Sequence, residues 1–440
     1  MYRSKINNLI NWKLSSKRKP LVILGARQIG KTWLLQEFGK NEYKQVVYIN
    51  FERATTLKEV FLPDLDVKRL ITAFELFTNT KISADDTLII LDEIQTAPKG
   101  ITSLKYFYED APEYHIVAAG SLLGLNLHPN ESFPVGKVSF LELQPMSFYE
   151  FLLAVSEDGL ARILDEKMWD MLPAFSEKFK EYLRYYFYVG GMPEVVLEFA
   201  QNRDWKKVRA LQNDILTTYQ NDFSKHAPKE IVPRINMIWE SIPAQLAKEN
   251  KKFIYGIIKE GARAKDFELA LQWLTDTGLL HKVNAVSKPA LPLTAYQQLS
   301  NFKLYHNDIG LLGAMAKLAA KTIIEGDDIF TEFKGALAEQ YVFQQLKLNK
   351  DLSVYYFPFE NSKNEVDFVI QNEQGEIIPI EVKAGESLRA KSFKLFCEKH
   401  QPKTAIRTSL SNYREESWMT NVPLYIIDKF LQEEKNVQKH

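Results

Sequence analysis

A single cysteine, Cys397, is all the thiol chemistry that this 440-residue sequence carries. One thiol excludes an internal disulfide and a cysteine-built metal cluster, and it suits a reducing compartment. Net charge is missing too, since 56 Lys and Arg balance 56 Asp and Glu. No global basic field points to nucleic acid, so any such contact has to come from a local patch. No apolar run approaches the roughly 18 residues that a membrane helix needs, and the N-terminus carries no long apolar segment. Internal repeats and low-complexity tracts are absent as well. What is left is ordinary globular composition, 45% hydrophobic and 25% charged. The length predicts about two to four domains. The expectation is a soluble, cytoplasmic protein with no membrane partner.

Against that background one stretch stands out. Leu21-Val22-Ile23-Leu24 runs straight into Gly25-Ala26-Arg27-Gln28-Ile29-Gly30-Lys31-Thr32, and Trp33 to Phe38 continues with helical character. G-x-x-x-x-G-K-T between a strand and a helix is a phosphate-binding loop. Gly25 and Gly30 admit backbone angles that a Cβ disfavours, so successive N–H groups can turn toward phosphate. The helix N-terminus adds its partial positive charge. Residues Gly25 through Trp33 are therefore the candidate ATP cradle. Lys31 is expected at the β- and γ-phosphates, and the Thr32 hydroxyl on Mg²⁺.

A second apolar run, Thr87-Leu88-Ile89-Ile90-Leu91, closes on Asp92-Glu93. Buried parallel strands look like this, and ligands sit at their carboxyl ends. About 60 residues after the phosphate loop, this pair completes the chemistry of nucleotide hydrolysis. Asp92 is the candidate Mg²⁺ residue, acting through water, and Glu93 the residue that polarises the attacking water. His115 to Ser121 is another strand with a small polar end. There Ser121 either senses the γ-phosphate or orients the water, or Gly120-Ser121 is a plain turn.

Together, Gly-Ala-Arg-Gln-Ile-Gly-Lys-Thr, Leu-Asp-Glu-Ile-Gln, Ala-Gly-Ser and Leu-Gln-Pro-Met-Ser-Phe-Tyr-Glu-Phe resemble a prokaryotic AAA-domain ATPase family. Members of that family carry a C-terminal domain of unknown function. Tyr188 to Glu194 and Phe302 to Gly310 are also similar to its pattern. The resemblance implies ATP binding and hydrolysis. It leaves homo-oligomerisation and a protein partner open. Where that pattern carries Gly-Arg, this chain has Gly136-Lys137, so an arginine finger would be replaced by a lysine without its bidentate fork.

Beyond residue 145 the periodicity turns helical to about Phe223, resembling the helical lid that follows the nucleotide core in AAA+ proteins. From Val232 to Val286, helical segments followed by Leu279-Leu280-His281-Lys282-Val283 suggest a winged helix-turn-helix. Arg263, Lys265 and Lys282 would offer phosphate contacts to DNA, while Asp266, Glu268 and Asp276 dilute the patch. The pattern alone fits DNA binding no better than a protein contact or a structural role.

The C-terminal part carries the second chemical signal. Glu332 to Lys350 reads as a helix with Glu339 on an otherwise apolar face, followed by strands near 354–357, 365–370 and 377–383. A helix near 387–400 and strands near 404–408 and 424–427 complete the set. Period-two alternation puts Glu381 and Lys383 on one strand face. Asp367, then Glu-x-Lys fourteen residues on, behind a helical Glu, resembles the PD-(D/E)xK nuclease core. In that reading Asp367 and Glu381 hold Mg²⁺, Glu339 completes the acidic set, and Lys383 orients or deprotonates the attacking water. The rivals are a surface hairpin with Glu–Lys pairing and a nuclease fold that no longer cuts.

The expected architecture is α/β: a P-loop parallel-sheet core at 1–145, a helical lid at 146–225, a winged-helix module at 226–319 and a restriction-endonuclease-like domain at 320–440. The expected function is ATP hydrolysis coupled to DNA handling, with metal-dependent cleavage as its extension. The alternative is a nucleotide switch whose C-terminal regions bind a partner without cleaving it.

Overall fold

The computed structural model describes residues 1–120, 134–248, 251–324, 331–359, 364–385 and 390–433. Ser121 lies outside these residues. The chain forms a smaller unit, residues 2–144, and a larger one from residues 145–275 and 279–440.

The smaller unit opens with α1 (Ile6–Leu14), so the basic N-terminal stretch is helical and buries Leu9 and Trp12. Then come β1 (Leu21–Leu24), α2 (Lys31–Glu42), β2 (Gln45–Asn50), α3 (Val67–Thr78), β3 (Thr87–Asp92), α4 (Gly100–Asp110), β4 (His115–Ala119) and β5 (Ser139–Glu142). Every residue of β3 and of β4 is buried. That is why these strands read as continuous apolar runs without alternation. Among the described residues the strand order is β2-β3-β4-β1-β5, and all four pairings are parallel. Chain order and spatial order part company at β1, which makes its carboxyl end the crevice of the sheet. The register aligns the strand ends there: Ile23 pairs with Ala119, Ala119 with Asp92, and Asp92 with Asn50.

The larger unit begins with the helices α5 (Phe148–Ala154), α6 (Asp158–Asp165), α7 (Leu172–Val189), α8 (Pro193–Asn202), α9 (Trp205–His226), α10 (Val232–Leu246), α11 (Tyr255–Ile258) and α12 (Ala264–Asp276). It continues with β6 (Leu280–Val286), β7 (Gln297–His306), α13 (Ile309–Met315), α14 (Ala320–Ile324), α15 (Thr331–Lys347), β8 (Ser353–Pro358), β9 (Glu365–Gln371) and β10 (Ile377–Val382). It ends with α16 (Lys391–His400), β11 (Ile406–Ser409), β12 (Arg414–Glu415), β13 (Thr420–Pro423) and α17 (Ile427–Glu433).

Part of the helical region packs directly on the C-terminal elements. The Tyr186 ring on α7 lies 5.8 Å from Phe148 and 5.8 Å from Tyr341 on α15, so helices from both ends of the unit share one aromatic core. The hairpin β6–β7, expected as a wing, is the edge of a mixed sheet ordered β12-β13-β11-β10-β9-β8-β6-β7 among the described residues. The join is the parallel pairing of Ala285 with Tyr356. One expected strand is misplaced. Residues 424–427 are a short 3₁₀ turn running into α17, and the pairing strand is β13, closed by Pro423. Proline has no N–H to extend the ladder, and the apolar residues after it are buried as helix instead.

Three remote segments meet at Asp308. Its carboxylate accepts the N–H of Gly191 at 2.6 Å and caps α13 through the N–H of Leu311 at 2.9 Å. Gly190 has φ +76, and a Cβ there would stand 2.2 Å from Asp308 Oδ1. Met146 N–H bonds the Gly191 carbonyl at 2.7 Å, and the Tyr186 hydroxyl accepts from Gln344 at 2.9 Å.

Candidate functional site

β1 delivers the chain to Gly25, whose φ of +145 and surroundings both demand glycine: a Cβ would lie 2.3 Å from Ile29 Cδ1 and 2.5 Å from the Leu143 carbonyl oxygen. Gln28 (φ 64) and Gly30 (φ 87) bring the loop around into α2. Ala26 and Ile29 are buried and line the loop from inside. Arg27 is half-buried, Gln28 is exposed, and Trp33 is exposed on the first turn of α2. A support that sequence reasoning missed lies beneath. Arg3, from the basic N-terminal stretch, is buried and donates to the carbonyls of Ile29 at 3.0 Å and Gln144 at 2.5 Å.

Lys31 is the first residue of α2. Its ammonium donates to the carbonyl oxygens of Gly25 at 2.8 Å and Ala26 at 2.9 Å. Burial pushes its pKa down to about 8, against the opposing pull of Glu93 and Asp92. The Thr32 hydroxyl donates to Asp92 Oδ2 at 3.0 Å, and the Tyr48 hydroxyl donates to the same oxygen at 2.7 Å. Thus the aligned strand ends gather Thr32, Asp92 and two unpredicted residues, Tyr48 and Asn50, around one carboxylate. Glu93 follows in the left-handed region at φ 51, and its carboxylate accepts from Gln95 Nε2 at 2.5 Å. Burial raises its pKa. Lys137 pairs with Glu109 at 2.9 Å. It precedes β5 and therefore stands at the amino edge of the parallel sheet, away from the loop on its own sheet.

In the larger unit, β9 and β10 are antiparallel with Phe368 opposite Ile380. Continuing that register sets Asp367 opposite Glu381, so both carboxylates leave one face. The Val382 N–H donates to Asp367 Oδ2 at 2.7 Å. Lys383 pairs with Glu381 Oε1 at 2.6 Å, while Glu381 Oε2 is buried with no hydrogen-bond partner among the described residues. Glu339 arrives from α15 as expected, and ligand oxygens of Glu339, Glu365 and Asp367 lie within 4.8 Å of one another.

The surprise is what surrounds them. Lys303, fully buried on β7, reaches Glu365 at 2.6 Å and Glu339 at 3.5 Å. Lys251 donates to the other oxygen of Glu339, and the Tyr305 hydroxyl contacts Glu339 at 3.3 Å. Burial works to raise Glu339, but Lys251 and Lys303 outweigh it and hold the carboxyl low. Asp367 is pushed well up by burial and by the charges of Glu339 and Glu381, and burial raises Glu381 as well. Glu365, Lys303, Tyr305 and Lys251 escaped the sequence reading. The signal was there in part: Lys303 sits between Phe302 and Leu304 in an apolar strand, where an ammonium demands a buried partner.

Residues 17–152 match a family of AAA domains. The chain carries an AAA domain. Its P-loop, parallel sheet and carboxylate pair make that AAA domain a nucleotide-dependent ATPase module. Two families described only as domains of unknown function match further parts of the chain, DUF8612 over residues 180–322 and DUF4143 over residues 334–427. No curated protein matches. Among solved structures, the Walker-type ATPase of Pyrococcus abyssi is 12% identical, covers 72% of this chain and 95% of its own, and gives a TM-score of 0.44. The Aeropyrum pernix ORC1 protein, solved in complex with DNA, is 14% identical, covers 72% and 93%, and gives 0.30. Cdc6p of Pyrobaculum aerophilum is 12% identical, covers 73% and 93%, and gives 0.27. Scores this low leave the fold of the AAA domain to rest on its own strand order and loop.

Proposed function

We propose that the protein hydrolyses ATP at the AAA domain and couples this to phosphodiester chemistry on nucleic acid at the DUF4143 site. In the first site the N–H groups of residues 25–30 and the Lys31 ammonium hold the β- and γ-phosphates. The Thr32 hydroxyl and Asp92, already hydrogen bonded, are the Mg²⁺-side pair. The glycine cradle at Gly25, too tight for a Cβ, supports this fit. Mg²⁺ when bound neutralises charge on the transferring phosphoryl group. Glu93 takes the proton of the attacking water.

The observation that carries the nucleic-acid half is the facing pair Asp367–Glu381, with an unpartnered buried oxygen on Glu381 and both carboxyls pushed up. Such a pair fits a hard divalent cation, which supplies charge neutralisation at a phosphodiester. Lys383 orients the attacking water, and the exposed Arg263 and Lys265 at the start of α12 offer phosphate contacts. A second reading has its own observation. Lys251 and Lys303 already neutralise half of the cluster, as expected of a nucleotide switch that binds a partner without cutting it.

The test incubates the whole protein with plasmid DNA, with and without ATP and Mg²⁺ or Mn²⁺. Glu93→Gln should bind ATP and lose hydrolysis about a hundredfold or more. Asp367→Ala should abolish nicking and leave ATP turnover unchanged. Wild-type protein that turns over ATP but never nicks DNA supports the switch.

A further inference from the structure

The four carboxylates of the DUF4143 site divide by what already faces them. Glu339 and Glu365 face ammonium groups that come from within the fold. Lys303 is 0% exposed and stands between them, at 2.6 Å from Glu365 and 3.5 Å from Glu339. Its ammonium lies over the Tyr356 ring, 4.8 Å from the centroid. A lysine so enclosed has no route to water and stays with its carboxylates. Lys251 takes the remaining oxygen of Glu339, and Tyr305 adds a hydroxyl. Asp367 and Glu381 are different. Asp367 accepts one backbone N–H and faces no ammonium group in an ion pair among the described residues. Glu381 pairs on one oxygen with Lys383, which is part-exposed rather than enclosed; its other oxygen, like Glu365 Oε2, has no partner among the described residues.

We propose that this site takes one divalent cation, between Asp367 and Glu381, because the ammonium groups of Lys303 and Lys251 fill a second cation position beside Glu339 and Glu365. The inference rests on the phosphodiester reading above. Charge supports it. Four carboxylates against the three ammonium groups of Lys251, Lys303 and Lys383 leave one negative charge, which a single dication already exceeds. A second dication would enter a cluster that is by then net positive. Geometry agrees, since each oxygen of Glu339 already accepts from an ammonium group, Lys251 on one and Lys303 on the other, and an ammonium cannot itself ligate a metal.

The experiment counts Mn²⁺ bound to the nucleotide-free full chain, from loss of the free-ion resonance in a titration. Asp367→Asn serves to subtract ions bound elsewhere. Wild type should bind one ion more than Asp367→Asn. Lys303→Met should bind two more, and Lys303→Arg should return the count to one. If Lys303→Met does not fold, Lys251→Met leaves Lys303 in place and should admit the second ion, more weakly. Two ions in wild type, or a count of one in both methionine variants, overturns the lysine assignment and leaves the metal reading standing. Equal binding by wild type and Asp367→Asn overturns both.

Discussion

Lys31 makes the most quantitative demand of the structure. An exposed lysine titrates at 10.5, whereas burial pushes Lys31 down to about 8. Holding the ammonium in this buried position therefore costs about 3 kcal/mol. The folded pKa is depressed, so that cost is borne in full below pH 8. It fades as pH rises toward 10.5, because the folded chain releases the proton first. Phosphate oxygens reverse the balance, since their negative charge restores the proton to the bound lysine. From about pH 8 down to about pH 7, where the terminal phosphate begins to titrate, the affinity for ATP should be nearly flat. Above about pH 8, binding must take up a proton, and Kd should weaken about tenfold per pH unit. Calorimetry in two buffers of different ionisation enthalpy measures this directly. Uptake should be about half a proton per ATP at pH 8 and about 0.9 at pH 9. Lys31→Met should lose most of the affinity and all of that uptake. A wild-type Kd that stays constant to pH 9.5 with no proton uptake would refute the reasoning.

Gln95→Leu should lower kcat for ATP about tenfold and leave ATP Kd within about twofold, because the Gln95 amide holds the Glu93 carboxylate at 2.5 Å. Gly120→Ala should reproduce part of that effect, since its Cβ would stand 2.4 Å from Gln95 Oε1 and displace the amide. Steady-state kinetics beside equilibrium binding separates the two parameters. Burial pushes His306 down to about 3 from 6.5, and its Nδ1 accepts the Asp308 N–H at 3.1 Å. Its stabilising contribution is complete above pH 6.5 and is lost as pH falls, by about 2 kcal/mol at pH 5. Urea melts of wild type and His306→Asn should show the variant losing one proton's worth of acid slope. Gly190→Ala, forced against Asp308 at positive φ, should cost about 3 kcal/mol in the same melts.

The nucleotide half was legible in the sequence because its strands are buried on both faces and its loop obeys a spacing fixed by phosphate. β1, α2, β3 and β4 stand where the apolar runs put them, and Thr32 meets Asp92 as the chemistry requires. What the sequence hid were contacts made by residues with no local reason to be there. Arg3 looked like part of a basic tail, and only the closed sheet brings it under Ile29. Tyr48 and Asn50 looked like strand residues until register set them beside Asp92. In the larger unit, Asp367, Glu381 and Lys383 came from period-two spacing, and the order α15-β8-β9-β10-α16-β11 follows the expected αβββαβ. The counter-ions did not. Lys251 and Lys303 are separated from Glu339 by 88 and 36 residues, and no local pattern measures such a distance.

The sharing of β6 and β7 with the C-terminal strands bears on how this chain can be taken apart. A fragment beginning at residue 320 would keep Glu339, Glu365, Asp367 and Glu381 and leave behind Lys251, Lys303 and Tyr305. It would also part Gln344 from Tyr186 and Asp308. Such a piece would be an acid cluster stripped of its own cations and short of stability. Nuclease assays on it would report on a different site. The acidic strands and the distant lysines are portable only as a set, so recombination that moves one without the other changes the ion chemistry along with the fold.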